Sequence, residues 1–229
     1  MADPSEIMEI GFNVVYLTYI FFIVAIMIKR KSSLSPEKQP VALRVLLGFS
    51  ALLIGDIGHV GARLYIFLSG DQNTAISGIG TLFEAVGLIF LFMFWMDVWR
   101  LEFSHSKTIL YYILIITGIL GLIIFTFPQN DWTGDSIPQY WGIIRNVPWT
   151  IQGIGVALLI SGDARKNHDK LMGRIGICIF ISYLFYLPVV LIGYKYPLLG
   201  MLMIPGTITY MFWEFLSIKR FFPSSKSEN

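Results

Sequence analysis

The sequence predicts an all-α integral membrane bundle of seven transmembrane helices, with the N-terminus outside and the C-terminus cytoplasmic. Three observations predict it. The 229 residues are 55% hydrophobic and only 14% charged, where a soluble domain carries about 25% charge, and the mean hydropathy is +0.66. The apolar residues gather into seven runs of about the length that crosses a ~30 Å hydrocarbon layer. The basic residues fall almost entirely into alternate connections. Residues 1–221 read as one transmembrane domain, and 222–229 as a flexible polar tail.

Met1 to Glu9 is short and acidic and lacks the basic start of a cleaved signal peptide, so no processing is expected. The first run, 11–28, stops at Lys29-Arg30-Lys31. A polar linker, Ser32 to Pro40, leads to the second run, 43–68. Asp71-Gln72-Asn73-Thr74 is a turn. The third run, 75–98, holds Glu84. A short polar loop, Leu101 to Lys107, precedes the fourth run, 108–127, which carries no charge and is expected to pack largely against lipid or to plug a gap in the bundle. The loop Pro128 to Gln139, with Asp131, Trp132, Gly134 and Asp135, is the longest on its side. The fifth run, 140–160, is polar in its first half, and the sixth, 171–193, contains Ser182, Tyr183 and Tyr186. The hairpin Tyr194-Lys195-Tyr196-Pro197 opens into the seventh, 198–218.

Seven spans place the termini on opposite sides, and the excess of Lys and Arg on cytoplasmic loops decides which. One set of connections, with the span ends that adjoin them, holds 14 of the 17 basic residues; the other holds only Lys195, and Arg63 and Arg145 lie deeper within spans. Trp132, Tyr140, Trp141, Tyr194 and Tyr196 are expected to form the outer aromatic belt, and Trp95, Trp99 and Trp213 the inner one. Cys178 has no partner for a disulfide and reads as a small buried apolar side chain.

Charged groups at bilayer depth are costly and need partners or water. Asp56, His59 and Arg63, at offsets of three and seven, share one helix face, and Gly55, Gly58 and Gly61 let a neighbouring helix approach. At 1.5 Å per residue, Asp56 and Glu84 sit near mid-membrane, Arg63 further out, and Arg145 and Asn146 in the outer third. These groups read either as ion pairs clipping the second, third and fifth helices together, or as the lining of a cavity open to the outside. The candidate ligand-binding residues are Asp56, His59, Arg63, Glu84, Arg145, Asn146 and Gln152, with two arginines, His59 and Asn146 suited to an anionic group. Pro148, Pro188 and Pro205 predict kinks confined to the last three helices. His105 and His168 are expected to be solvated.

The bundle looks like a microbial rhodopsin in outline, but no lysine lies mid-span to form a retinal Schiff base. The seven-helix ceramidase-like hydrolases need several zinc-binding histidines, and only His59 lies in a span, so no cofactor is expected. The sugar transporters of three-plus-one-plus-three topology carry matching prolines in both halves, which this chain lacks. The combination Gly55-Asp56-x-x-His59-x-x-x-Arg63, Pro128-Gln129-Asn130-x-Trp132 and Arg145-Asn146-x-Pro148-Trp149 is similar to a pattern in uncharacterised bacterial multi-pass membrane proteins. That resemblance, over helices two to five, implies the fold and a bacterial or archaeal plasma membrane, and implies no activity. Gly61-Ala62 stands where the pattern has a proline before the arginine.

Three functions remain open. The first is a sensor or transporter with an outward-facing pocket for a small anionic ligand. The second is an intramembrane lipid-acting enzyme in which Asp56, Glu84 and His59 serve as acid and base, although no nucleophile or metal motif accompanies them. The third is a structural or assembly protein whose buried charges are helix clips. The partners expected are the bilayer, a small molecule and a protein docking on the basic cytoplasmic face; no nucleic acid is expected.

Overall fold

A computed structural model of the chain describes residues 4–70, 73–134 and 137–223. It is all-helical among those residues. The helices are α1 (Pro4–Lys31), α2 (Gln39–Ser69), α3 (Thr74–Glu102), α4 (Ile109–Phe125), α5 (Gln139–Lys166), α6 (Lys170–Ile192) and α7 (Met203–Phe221). Short 3-10 segments, Pro128–Asn130 and Pro197–Leu202, precede α5 and α7. Six of these stretches, the last comprising the 3-10 segment and α7 together, are long and apolar enough to cross a membrane. The fourth, at 17 residues, is shorter, about 26 Å of helix at 1.5 Å per residue.

Several helices outrun the apolar stretches that mark them. α1 begins at Pro4 rather than near Gly11, and α5 continues to Lys166. Hydropathy registers where apolar contact ends, whereas backbone hydrogen bonding continues for another turn or two. The seventh run divides into the 3-10 segment and α7, which places Pro205 in the first turn of its helix, where a missing N–H is no loss. Pro148 and Pro188 are the helix-interior prolines. Of the turn at 71–74, Asp71 and Gln72 lie outside the described residues, as do Asp135 and the tail from residue 224; Asn73 caps α3, its side chain accepting from the N–H of Ala75 at 3.0 Å.

Neighbours in sequence are neighbours in space, and α7 closes the ring against α1. α2 and α3 form the most extensive pair, and α3 also reaches α5. α4 stands outside the ring. It buries Tyr111, Leu114, Gly118, Gly121 and Phe125, one stripe at spacings of three and four, against α3 and α5. Its other face, like much of the outer surface (Phe21, Phe22, Ile54, Leu68, Ile109, Leu158, Phe212), is exposed and apolar. So large an apolar exterior is costly in water and natural in lipid.

The tryptophans expected at the inner belt are instead core. Trp95 and Trp213 are fully buried and Trp99 almost so. Trp95 and Trp213 meet edge-on at 4.8 Å, with Phe49 at 5.3 Å from Trp213 and Phe92 stacked on it at 6.0 Å. Depth along a helix follows from residue count; which face a residue takes is decided by packing, and these face inward. Trp132 likewise turns in, donating its indole N–H to the carbonyl of Phe125 at the end of α4 (2.9 Å).

The basic end of the bundle is knitted together. Arg44 and Arg100 both reach Asp97, at 3.3 and 3.1 Å, and Arg220 bridges Glu102 and Asp169. Asp163 accepts from the indole of Trp99 (2.9 Å) and from Lys166 (3.1 Å), and lies 2.8 Å from His105 Nε2. His105 is therefore not merely solvated, since it also stacks on Trp99 with ring centres 4.7 Å apart. His168 is exposed.

Candidate functional site

The end of the bundle opposite the basic cluster encloses a cavity of about 620 Å³. α1 contributes Glu9, Asn13 and Tyr16, spaced to share one helix face. α2 contributes Leu52, Asp56, His59 and Arg63, the face expected from the sequence. Glu84 and Leu88 come from α3, Trp149 from α5, Ser182, Tyr183 and Tyr186 from α6, and Thr207 and Tyr210 from α7. The 3-10 segment before α7 forms part of the rim through Pro197, Leu198 and Met201.

Close approach of α2 and α3 brings Asp56, His59 and Glu84 together. A Cβ on Gly55 would lie 2.9 Å from the carbonyl oxygen of Phe83, and one on Gly87 2.7 Å from that of Ala51. Gly61, by contrast, faces open space. His59 Nδ1 sits 3.3 Å from Glu84 Oε2, but is not aligned for a hydrogen bond and has no hydrogen-bond partner among the described residues. Asp56, 6% exposed, accepts a 2.8 Å hydrogen bond from the Tyr16 hydroxyl through Oδ2. Arg63 pairs with Glu9 at 2.7 Å, both side chains about 40% exposed.

The other three expected ligand residues lie outside this lining. Arg145 stacks its guanidinium over the Trp132 ring at 4.9 Å and borders a separate space of about 220 Å³ with Thr74, Ser77 and Asp131. Asn146 is a knot behind the cavity wall: its Oδ1 accepts from Trp149 Nε1 and from the Tyr186 hydroxyl, each at 2.9 Å. Gln152 is fully buried against Gly118 of α4, with neither amide atom hydrogen-bonded among the described residues. Among the described residues, neither Arg63 nor Arg145 forms an ion pair with Asp56 or Glu84; Arg63 ties α2 to α1 through Glu9 instead.

Sequence reading missed Glu9, placed in an acidic tail, and the aromatic wall. The signal was present as Tyr183 and Tyr186 one turn apart on α6 and as Glu9, Asn13 and Tyr16 on one face of α1. Ring centres of Trp149 and Tyr186 are 4.8 Å apart, and Tyr183 lies 6.2 Å from Tyr186. The Tyr183 hydroxyl donates to the carbonyl of Trp149 at 3.0 Å, in space that any Cβ on Gly153 would fill.

Glu214 is fully buried beside Trp213, and neither carboxyl oxygen has a hydrogen-bond partner among the described residues. A sealed polar group without partners costs stability in either protonation form. Glu214→Leu is therefore expected to raise the thermal midpoint in detergent, by an amount corresponding to about 1–3 kcal/mol; a fall would reveal a partner for this carboxyl group. Among the described residues, no three His, Cys, Asp or Glu side chains converge to hold a metal ion.

Fold and site together define a class: an apolar helical bundle compatible with a multi-pass membrane protein, with a polar and aromatic cavity at one end. No family model, curated protein or solved structure matches the chain.

Proposed function

We propose that the chain crosses the plasma membrane seven times with its basic end cytoplasmic, and that it binds a small molecule in the outward-facing cavity as a sensor or transporter. The observation that carries this reading is the 620 Å³ cavity, within the usual range for small-molecule sites and lined by aromatic rings with a few convergent polar groups. The distribution of basic residues supports the orientation. The connections between the helices are too short to hold a signalling domain, and the basic face offers a docking surface for a protein partner.

A cavity-filling substitution tests the reading. Gly206 lines the cavity, and a Cβ there would meet its nearest atom in ordinary contact at 3.5 Å, so a larger side chain would extend into the cavity. Native mass spectrometry from mild detergent is expected to show a discrete bound mass on the wild type that is lost in Gly206→Phe. Absence of any bound mass on the wild type would count against small-molecule binding. The contact between His59 and Glu84 beside Asp56 favours one second reading, a lipid-acting enzyme, which requires turnover that vanishes in Asp56→Asn while the fold persists.

A further inference from the structure

Building on the binding reading above, we infer that the cavity takes a small organic cation, a protonated amine with an apolar body. The charge inventory carries this inference. Three carboxyl groups, from Glu9, Asp56 and Glu84, line the space against one guanidinium, that of Arg63, and one imidazole, that of His59. Arg63 is already neutralised by Glu9 at the rim. Arg145, the second arginine that would have favoured an anion, borders a different space. An anion entering here would have to part Arg63 from Glu9 and would still face Asp56 and Glu84. A cation meets two carboxyl groups that form no ion pair with Lys or Arg among the described residues: Glu84, which has His59 Nδ1 at 3.3 Å and feels Arg145 only at longer range, and Asp56, whose Oδ1 is in no hydrogen bond among those residues.

The walls agree with that charge. Rings of Tyr16, Trp149, Tyr183, Tyr186 and Tyr210 border the cavity. Aromatic faces attract ammonium groups by about 0.5–2 kcal/mol, most strongly when water is excluded. The Asn146 knot fixes two of these rings, Trp149 and Tyr186, by hydrogen bonds at their polar edges, so the wall is organised before a ligand arrives. The space is also far larger than a bare metal ion needs, which calls for a ligand with a body.

The test uses two probes of the same shape and opposite charge, phenethylammonium and 3-phenylpropionate, titrated calorimetrically into the full-length protein in mild detergent near pH 7. The ammonium is expected to bind and the carboxylate not to. Asp56→Asn and Glu84→Gln, both near-isosteric, are each expected to weaken the ammonium at least about tenfold, or about 1.4 kcal/mol. Binding of the carboxylate alone, or of the ammonium undiminished in both variants, overturns the inference. If neither probe binds, the mass retained on the wild type decides: an amine supports the inference, and an acid or a neutral compound overturns it while leaving the binding reading intact. No retained mass overturns the binding reading itself.

Discussion

Gly87→Val is expected to destabilise the bundle by about 3 kcal/mol or more, the cost of forcing extra carbons into a site already packed backbone to backbone. A Cβ at Gly87 would lie 2.7 Å from the Ala51 carbonyl oxygen and 3.1 Å from Gly55 Cα. Neither is a flexible side-chain end that can swing aside. The same closeness recurs two turns away, where a Cβ on Gly80 would lie 2.9 Å from the Gly58 carbonyl oxygen. Small residues on both helices thus set the α2–α3 separation. Glu84 lies between Gly80 and Gly87 in sequence, so pushing α3 outward also withdraws Glu84 from His59. The variant should therefore lose ligand retention along with stability. Gly61→Val is the control, since a Cβ there meets nothing within 4 Å. Thermal unfolding followed by tryptophan fluorescence separates them: a large drop for Gly87→Val against a small change for Gly61→Val is expected, and equal midpoints would show that α2 and α3 are not held by this contact.

Asp163→Ala is expected to cost about 3 kcal/mol at the basic end. Its carboxyl group is the shared acceptor for Trp99 and Lys166 and contacts His105. Removing it strands an indole N–H on a tryptophan only 3% exposed, and an unsatisfied buried donor keeps its full desolvation penalty. Asp163→Asn retains one acceptor and should lose less. Lys166→Ala should lie within about 1 kcal/mol of wild type, because the lysine side chain is 78% exposed. If Lys166→Ala and Asp163→Ala unfold at the same temperature, the carboxyl group is not the centre of this network.

What could be read in the chain is what depends on composition and period. Hydropathy located the helices, and the three- and seven-residue offsets put Asp56, His59 and Arg63 on the wall of one cavity. What could not be read depends on rotation between helices. Arg145 and Asn146 are adjacent in sequence and lie at similar depth, yet one faces Trp132 and the other sits behind Trp149 and Tyr186. Nothing in the composition of α5 distinguishes those faces. Trp95 and Trp213 illustrate the same limit, since tryptophan suits either a membrane interface or a core. Glu9 was hidden for another reason: α1 continues well beyond its apolar segment, and only that extra helix brings the acid to Arg63.

The aromatic block has a consequence for passage through the molecule. Phe49, Phe92 and Trp213 each lie about one helical turn beyond a residue lining the cavity, Leu52, Leu88 and Tyr210 respectively. Together with Trp95 they fill the centre of the bundle between the cavity and the basic end. These four rings stand as a floor beneath the cavity. Export or uptake through it would require α7 to carry Trp213 away from Trp95, as the gate of an alternating cycle. A receptor needs no such opening, and in it the same rings would form a continuous contact from Tyr210 on the cavity, through Trp213 and Trp95, to Phe221 beside Arg220.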